Sequence, residues 1–385
     1  MKKITGFALV MFIITSAIFG QNFTFGGYIN SGVGLYAGTD EDLSVSAFGV
    51  DSEQPGYRLR LNGSYQNEAR TAGIRLRLQS QANAERRDNG YLSIPFVYGF
   101  FNLFENKINL LGGLIMDSSW ETLDWWINDD VGEGLGALIK INPIDGLSFG
   151  AGAYLISQEG GGRNNQLSRG ISGHALKAED LKYVFGASYS LKDNFYLGAS
   201  FRTQNQAGDE DLETRTGRQE SSQLIGDLRI YAIPKLTAII AFSFNNLQDF
   251  NDSGLMVFSE SLSFNATDEL NIGINAVQFI SNNESHEDAS MLFNLWGSYA
   301  IDKVVPRLDL TYYMGGNSHA ANYHRRGYQD PVYNYDVSAF SIRSSVRINI
   351  DNRSHLEIGN VTHLNNPQDD LKTANVFYID YRWSF

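Results

Sequence analysis

Cysteine is absent from the 385 residues, and proline occurs only 7 times. Without thiols the chain has no disulfide framework and no lipid-bearing cysteine, and a thiol-free exported protein suits an oxidising compartment. Beyond residue 20 there is no run of 18 apolar residues, so no transmembrane helix is expected. No run of five or more Lys and Arg occurs, and a net charge of -13 repels phosphates, which excludes nucleic acid as a partner. Disorder is excluded as well: the chain is 43% hydrophobic and carries 24 Phe, 20 Tyr and 5 Trp. Chemistry-bearing motifs are missing too. There is no G-x-S-x-G and no H-E-x-x-H, the six histidines are scattered, and Gly160-Gly161-Gly162 lacks the lysine of a phosphate loop. No catalytic residue, metal site or cofactor is therefore expected, and the chain is not read as an enzyme.

Residues 1–20 read as a secretory signal. Lys2 and Lys3 form the basic start, and Ile4 to Gly20 is uncharged and mostly apolar. Residues 21–385 are expected to form one domain.

That domain alternates. Apolar residues recur at every second position, the period of a strand with two different faces. The pattern runs through Phe23–Leu35, Tyr57–Leu61, Ile74–Leu78, Leu92–Phe100 on even positions, Ile108–Met116, Leu135–Ile141, Leu147–Leu155, Leu181–Leu191 and Phe195–Phe201. It continues through Leu224–Ala232, Leu236–Phe244, Met256–Phe264, Leu270–Ala276, Met291–Ile301, Leu308–Met314, Phe340–Ile350, a weak Leu356–Ile358, and Phe377–Phe385. Glu260 is the one charge on the apolar face of these eighteen segments. A soluble sandwich could show the same alternation. The links decide against it, because short ones such as Asn67–Arg70 and Pro234-Lys235 alternate with long ones such as 38–55, 117–133 and 315–335. Short turns on one rim and long loops on the other are the habit of a transmembrane β-barrel. The fold class is thus all-β, an antiparallel transmembrane barrel of about 18 strands, with 16 possible; a barrel of that size encloses an aqueous channel.

At the end of the chain Phe377, Ile379, Tyr381, Trp383 and Phe385 fill alternate positions. This resembles the last-strand signal of bacterial outer-membrane proteins, and with it the whole mature chain resembles the porins with 16 to 18 strands. The resemblance implies residence in the cell outer membrane, contact with its lipid and lipopolysaccharide, recognition by the barrel assembly machinery, passage of small hydrophilic solutes, and a homotrimer.

If the apolar face meets lipid, the other face lines water. Its cations are Arg58, Arg60, Arg75, Arg77, Lys140, Lys182, Arg202, Arg229, Arg307, Arg343, Arg347 and Arg382, against Asp227, Asp309, Glu357 and Asp380. Arg58, Arg60, Arg75 and Arg77 share one hairpin and are expected as a two-by-two patch. The third long loop supplies Asp117, Glu121, Asp124, Asp129 and Asp130 beside Trp120, Trp125 and Trp126. General porins resemble this arrangement, with an acidic third loop facing a basic ladder at the constriction. An anion-leaning diffusion channel is the expectation. A non-conducting surface adhesin and, further off, an outer-membrane enzyme are the alternatives. Acidic loop runs such as Asp40, Glu41 and Asp42 read as solvated surface, with divalent-cation binding as a second reading.

Overall fold

The computed structural model describes residues 22–38, 44–47, 58–81, 91–115, 134–155, 181–192, 194–203, 222–245, 247–281, 290–314, 339–365 and 372–385. The strands are β1 (Phe23–Gly38), β2 (Ser44–Ala47), β3 (Arg58–Gln66), β4 (Ala72–Gln81), β5 (Tyr91–Leu103), β6 (Ile108–Ile115), β7 (Gly134–Ile144), β8 (Leu147–Leu155), β9 (Leu181–Leu191) and β10 (Phe195–Arg202). They continue as β11 (Gln223–Ile230), β12 (Leu236–Asn245), β13 (Leu255–Asn265), β14 (Leu270–Ser281), β15 (Ser290–Tyr299), β16 (Val304–Met314), β17 (Ala339–Asn349), β18 (Ser354–Asn365) and β19 (Lys372–Ser384).

Apart from β2, each strand pairs antiparallel with its neighbour in sequence, and β1 closes the ring by pairing β3 on one side and β19 on the other. Leaving aside β2, eighteen strands close the barrel. The four residues of β2 sit in the first long link, which sequence reading left without structure, and take the place of β3 beside Val33–Tyr36.

Eight links on the rim where β1 begins and β19 ends are two to five residues long. Asn67 shows how such a turn is held: its side-chain oxygen accepts the backbone N–H groups of Thr71 at 2.8 Å and Ala72 at 3.1 Å. The two-residue link Asp145-Gly146 needs glycine, because Gly146 has φ +80° and an added Cβ would lie 2.2 Å from the Ser190 carbonyl oxygen. On the opposite rim, residues 247–253 form a short helical turn between β12 and β13.

The outer face is apolar and exposed: Val33, Ile74, Leu197, Ile240, Leu295, Ile358 and Phe377 all point outward with 45–56% of their surface accessible. Most of the buried residues lie on the inner face. This inversion of a soluble core is the property of a barrel whose solvent is lipid.

One strand departs from the sequence reading. On β5 the even positions Phe96, Tyr98 and Phe100 face inward and are buried, while Phe101 and Leu103 are exposed. The cause is an irregularity against β4: Arg77 stands opposite Phe96, but Gln79 stands opposite Ser93, so the chain gains a residue and its alternation flips.

Candidate functional site

The inner wall has two unlike halves. From β5 to β15 it carries a buried apolar stripe that includes Leu138, Tyr154, Val184, Ile225, Val257, Val277 and Leu292. None of these seven is more than 3% exposed, and the same strands also carry buried polar residues, among them Gln223, Asp227, Ser243, Ser259 and Asn294. The remaining wall, β16 to β19 with β1, β3 and β4, carries most of the charge.

On β3 and β4 the four hairpin arginines do not form a two-by-two patch. The register sets Arg75 opposite Ser64, Arg77 opposite Asn62, Arg60 opposite Gln79 and Arg58 opposite Gln81. The cations therefore climb the hairpin one rung at a time, Arg75 and Arg77 on β4 and then Arg60 and Arg58 on β3, and no arginine stands directly opposite another. Such staggering separates like charges by about two residues of strand rise, roughly 7 Å. Arg60 donates to Gln79 at 3.1 Å and Arg77 to Asn62 at 2.8 Å. Rings support them: Arg60 lies 5.2 Å from the Tyr28 ring centre, Arg75 5.4 Å from Phe100, and Arg77 4.8 Å from Phe96. The flipped face of β5 supplies two of those rings. Across the seam, Arg382 lies 4.3 Å from the same Tyr28 ring.

Other inward arginines meet acids. Arg229 pairs with Asp227 at 2.6 Å, Arg307 takes both oxygens of Asp309, and Arg343 and Arg347 share Glu357 at 2.5 and 2.9 Å. The Tyr378 hydroxyl also donates to Glu357, at 2.9 Å. Three of the four inward acids thus hold one or two arginines each, which weakens those cations as a field on the lumen. The fourth, Asp380, is fully buried opposite Gly32.

The inward arginines were legible from alternation alone. The rings beneath them were not, except for Tyr28, an aromatic on the polar face of the first segment. The side chains of Arg58 and Lys182 lie outside the described residues. So do the signal segment 1–20, the acidic first-loop run, and Asp117, Glu121, Asp124, Asp129 and Asp130.

The terminal segment seals the barrel. Phe377, Ile379, Tyr381 and Trp383 alternate outward on β19. Phe385 exchanges two backbone hydrogen bonds with Gly27, each 3.0 Å, and its ring lies 5.2 Å from Trp383 and 5.8 Å from Phe25. Gly27 cannot be larger, because a Cβ there would fall 2.0 Å from the Arg60 carbonyl oxygen. Glu260 does point outward, at mid-strand between Ile240 and Ala276, and is exposed.

A closed, outward-apolar barrel of eighteen strands with a charged inner wall defines a transmembrane barrel of the outer-membrane porin fold. No protein-family profile matches the chain. No curated protein matches it in sequence. Solved structures do match. Pseudomonas aeruginosa OccK11 (OpdR) is 11% identical with a TM-score of 0.54, covering 94% of this chain and 96% of its own. OpdL of the same organism is 12% identical with a TM-score of 0.53, covering 94% and 99%. An anion-selective porin from Comamonas acidovorans is 10% identical, with a TM-score of 0.49 over 94% and 99%. At such identities the likeness is one of fold.

Proposed function

We propose that this chain is an outer-membrane porin, a water-filled channel for passive diffusion of small hydrophilic solutes, leaning toward anions. The observation that carries the reading is the staggered arginine ladder on β3 and β4, set on rings and amides on the inner face of the barrel. Guanidinium groups held on rings and amides place positive charge along the path of a passing anion. The third long loop, with Asp117, Glu121, Asp124, Asp129 and Asp130, completes the proposed constriction. It leaves β6 at Ile115, which belongs to the buried apolar group. Phe377 to Phe385 serve as the assembly signal, 1–20 as the cleaved export signal, and a homotrimer as the assembled state.

The test is replacement of Arg58, Arg60, Arg75 and Arg77 by alanine, with reversal potential read across a KCl gradient. Preference should shift toward cations while insertion is preserved. Unchanged selectivity in a normally inserted variant would remove the ladder from the constriction.

A further inference from the structure

The outer wall carries two polar patches. On the parity of the exposed side chains, every outward position from β6 to β12 is aliphatic, aromatic or glycine. On β13, however, Glu260 points outward in line with Leu262 and Phe264, and on β14 Gln278 does so in line with Ile274 and Ile280. Gln278 is diagonal to Glu260, one outward position beyond its cross-strand neighbour Ala276. Neither side chain has a hydrogen bond or ion pair among the described residues, and Glu260 is exposed. The second patch crosses β17, β18 and β19, where Ser344 faces Asn360 and Thr362 faces Asn375. Asn360 donates to Thr362 at 2.9 Å and Thr362 donates to Asn375 at 2.8 Å, so this chain of bonds ends on the side-chain N–H groups of Asn375. Ser344 is exposed as well.

Both patches lie at one depth. Counted from the strand ends at the short-turn rim, Glu260 is five residues from Asn265 and Gln278 eight from Leu270; Ser344 is five from Asn349, Thr362 eight from Ser354 and Asn375 nine from Ser384. On tilted strands that is roughly 13–23 Å above the rim, inside the apolar band, where exposed polar groups find no water. The patches are complementary, because an ionised carboxylate only accepts while amide and hydroxyl groups donate. Two Glu260 faces would set carboxylate against carboxylate, so like does not meet like. From β14 to β17 is three strands and from β13 to β18 five, in a ring of eighteen. That is roughly 60–100° around the barrel, the range that holds the corner angles of closed rings of three and four copies.

We propose that copies of this chain join head to tail, the Glu260–Gln278 face of one on the Ser344–Asn360–Thr362–Asn375 face of the next, with the carboxylate accepting from Asn375. The inference rests on the reading of the outer wall as lipid-facing, and it gives the proposed oligomer its contact surface.

The absence of cysteine makes this contact open to crosslinking. The mature chain carrying both Gln278→Cys and Thr362→Cys is refolded into lipid vesicles, treated with a short bifunctional maleimide and run on a denaturing gel. The double variant should give covalent multimers up to the ring size, a mixture of the two single variants dimers only, and either single variant alone nothing beyond monomer. Leu197→Cys with Thr362→Cys, which puts the first thiol on the far side of the barrel, should stay monomeric. Adding Glu260→Leu to the double variant should require about tenfold more chain per lipid for the same multimer yield. Multimers from Q278C alone, equal yields from the Leu197 control, or an inserted double variant that stays monomeric overturn the contact; the last leaves lipid or another protein on the patches. Should the double variant fail to insert, Ala276→Cys with Ser344→Cys makes the same test. A wild-type chain that does not enter vesicles refutes the lipid-facing reading instead. Sedimentation equilibrium of that chain then decides the contact: multimers lost in E260L support it, and a monomer overturns it.

Discussion

Replacing Glu357 by alanine should be among the most destabilising single changes on the inner wall. Its carboxylate is buried and accepts from Arg343 at 2.5 Å, Arg347 at 2.9 Å and the Tyr378 hydroxyl at 2.9 Å. The Arg343 side chain is only 11% exposed, so it would lose this carboxylate where water hardly reaches; breaking such a pair from one side costs about 3 kcal/mol or more. Arg347 is 35% exposed, and screening holds its share to about 1 kcal/mol at most. The Tyr378 donor loses an acceptor, worth about 1 kcal/mol. The expected loss is about 4 kcal/mol. It is read as the shift in urea-induced unfolding of the chain refolded into lipid vesicles, followed by tryptophan fluorescence. Changing Arg343→Met together with Glu357→Leu should restore most of the stability, because removing both members leaves no buried lone charge. An E357A variant within 1 kcal/mol of wild type, or a double variant no better than the single, would refute the argument.

Deleting Phe385 removes two backbone hydrogen bonds to Gly27 and two ring contacts at the seam, about 2–3 kcal/mol, and should lower the fraction of chain that folds into vesicles; normal insertion would count against the assembly-signal reading. Glu260→Leu, on the lipid face of β13, should stabilise a barrel inserted alone, with fewer chains than vesicles, by about 1–2 kcal/mol in the same unfolding assay, and a destabilised variant would mean that the carboxylate has a partner within its own barrel. In the exposed turn before β18, the Asp351 carboxylate accepts the Arg353 and Ser354 backbone N–H groups at 2.7 Å, which holds its pKa below the usual carboxylate value. Its stabilising contribution is therefore present above the unfolded pKa and fades as pH falls through the folded one. Asp351→Asn should unfold earlier than wild type at pH 7, with the difference closing in strong acid; a gap that persists there would contradict it.

Strand positions were readable because lipid on one side and water on the other impose the strictest alternation a chain can show. Even the weak Leu356–Ile358 segment is a full strand. Its pattern broke because the next outward positions on β18, Asn360 and Thr362, are polar; Asn360 donates to Thr362, which donates to Asn375 on β19. The error on β5 has a similar origin in reverse. Both faces of Phe96 to Leu103 are apolar, so composition could not reveal the flip that one extra residue produces. Within the candidate site, the inward arginines followed from parity, but their arrangement did not. Whether four cations stand side by side or staggered depends on the hairpin register, and the approach of Arg382 to Tyr28 depends on how the last strand meets the first. Neither has a local signature.

The most direct test of the account is a planar-bilayer recording of the refolded mature chain across a KCl gradient. Stepwise openings with a reversal potential on the anion side are expected from the arginine ladder on β3 and β4. A well-folded, inserted barrel that never conducts would contradict the channel itself, and openings with a cation-side potential would contradict the assignment of selectivity to the arginines.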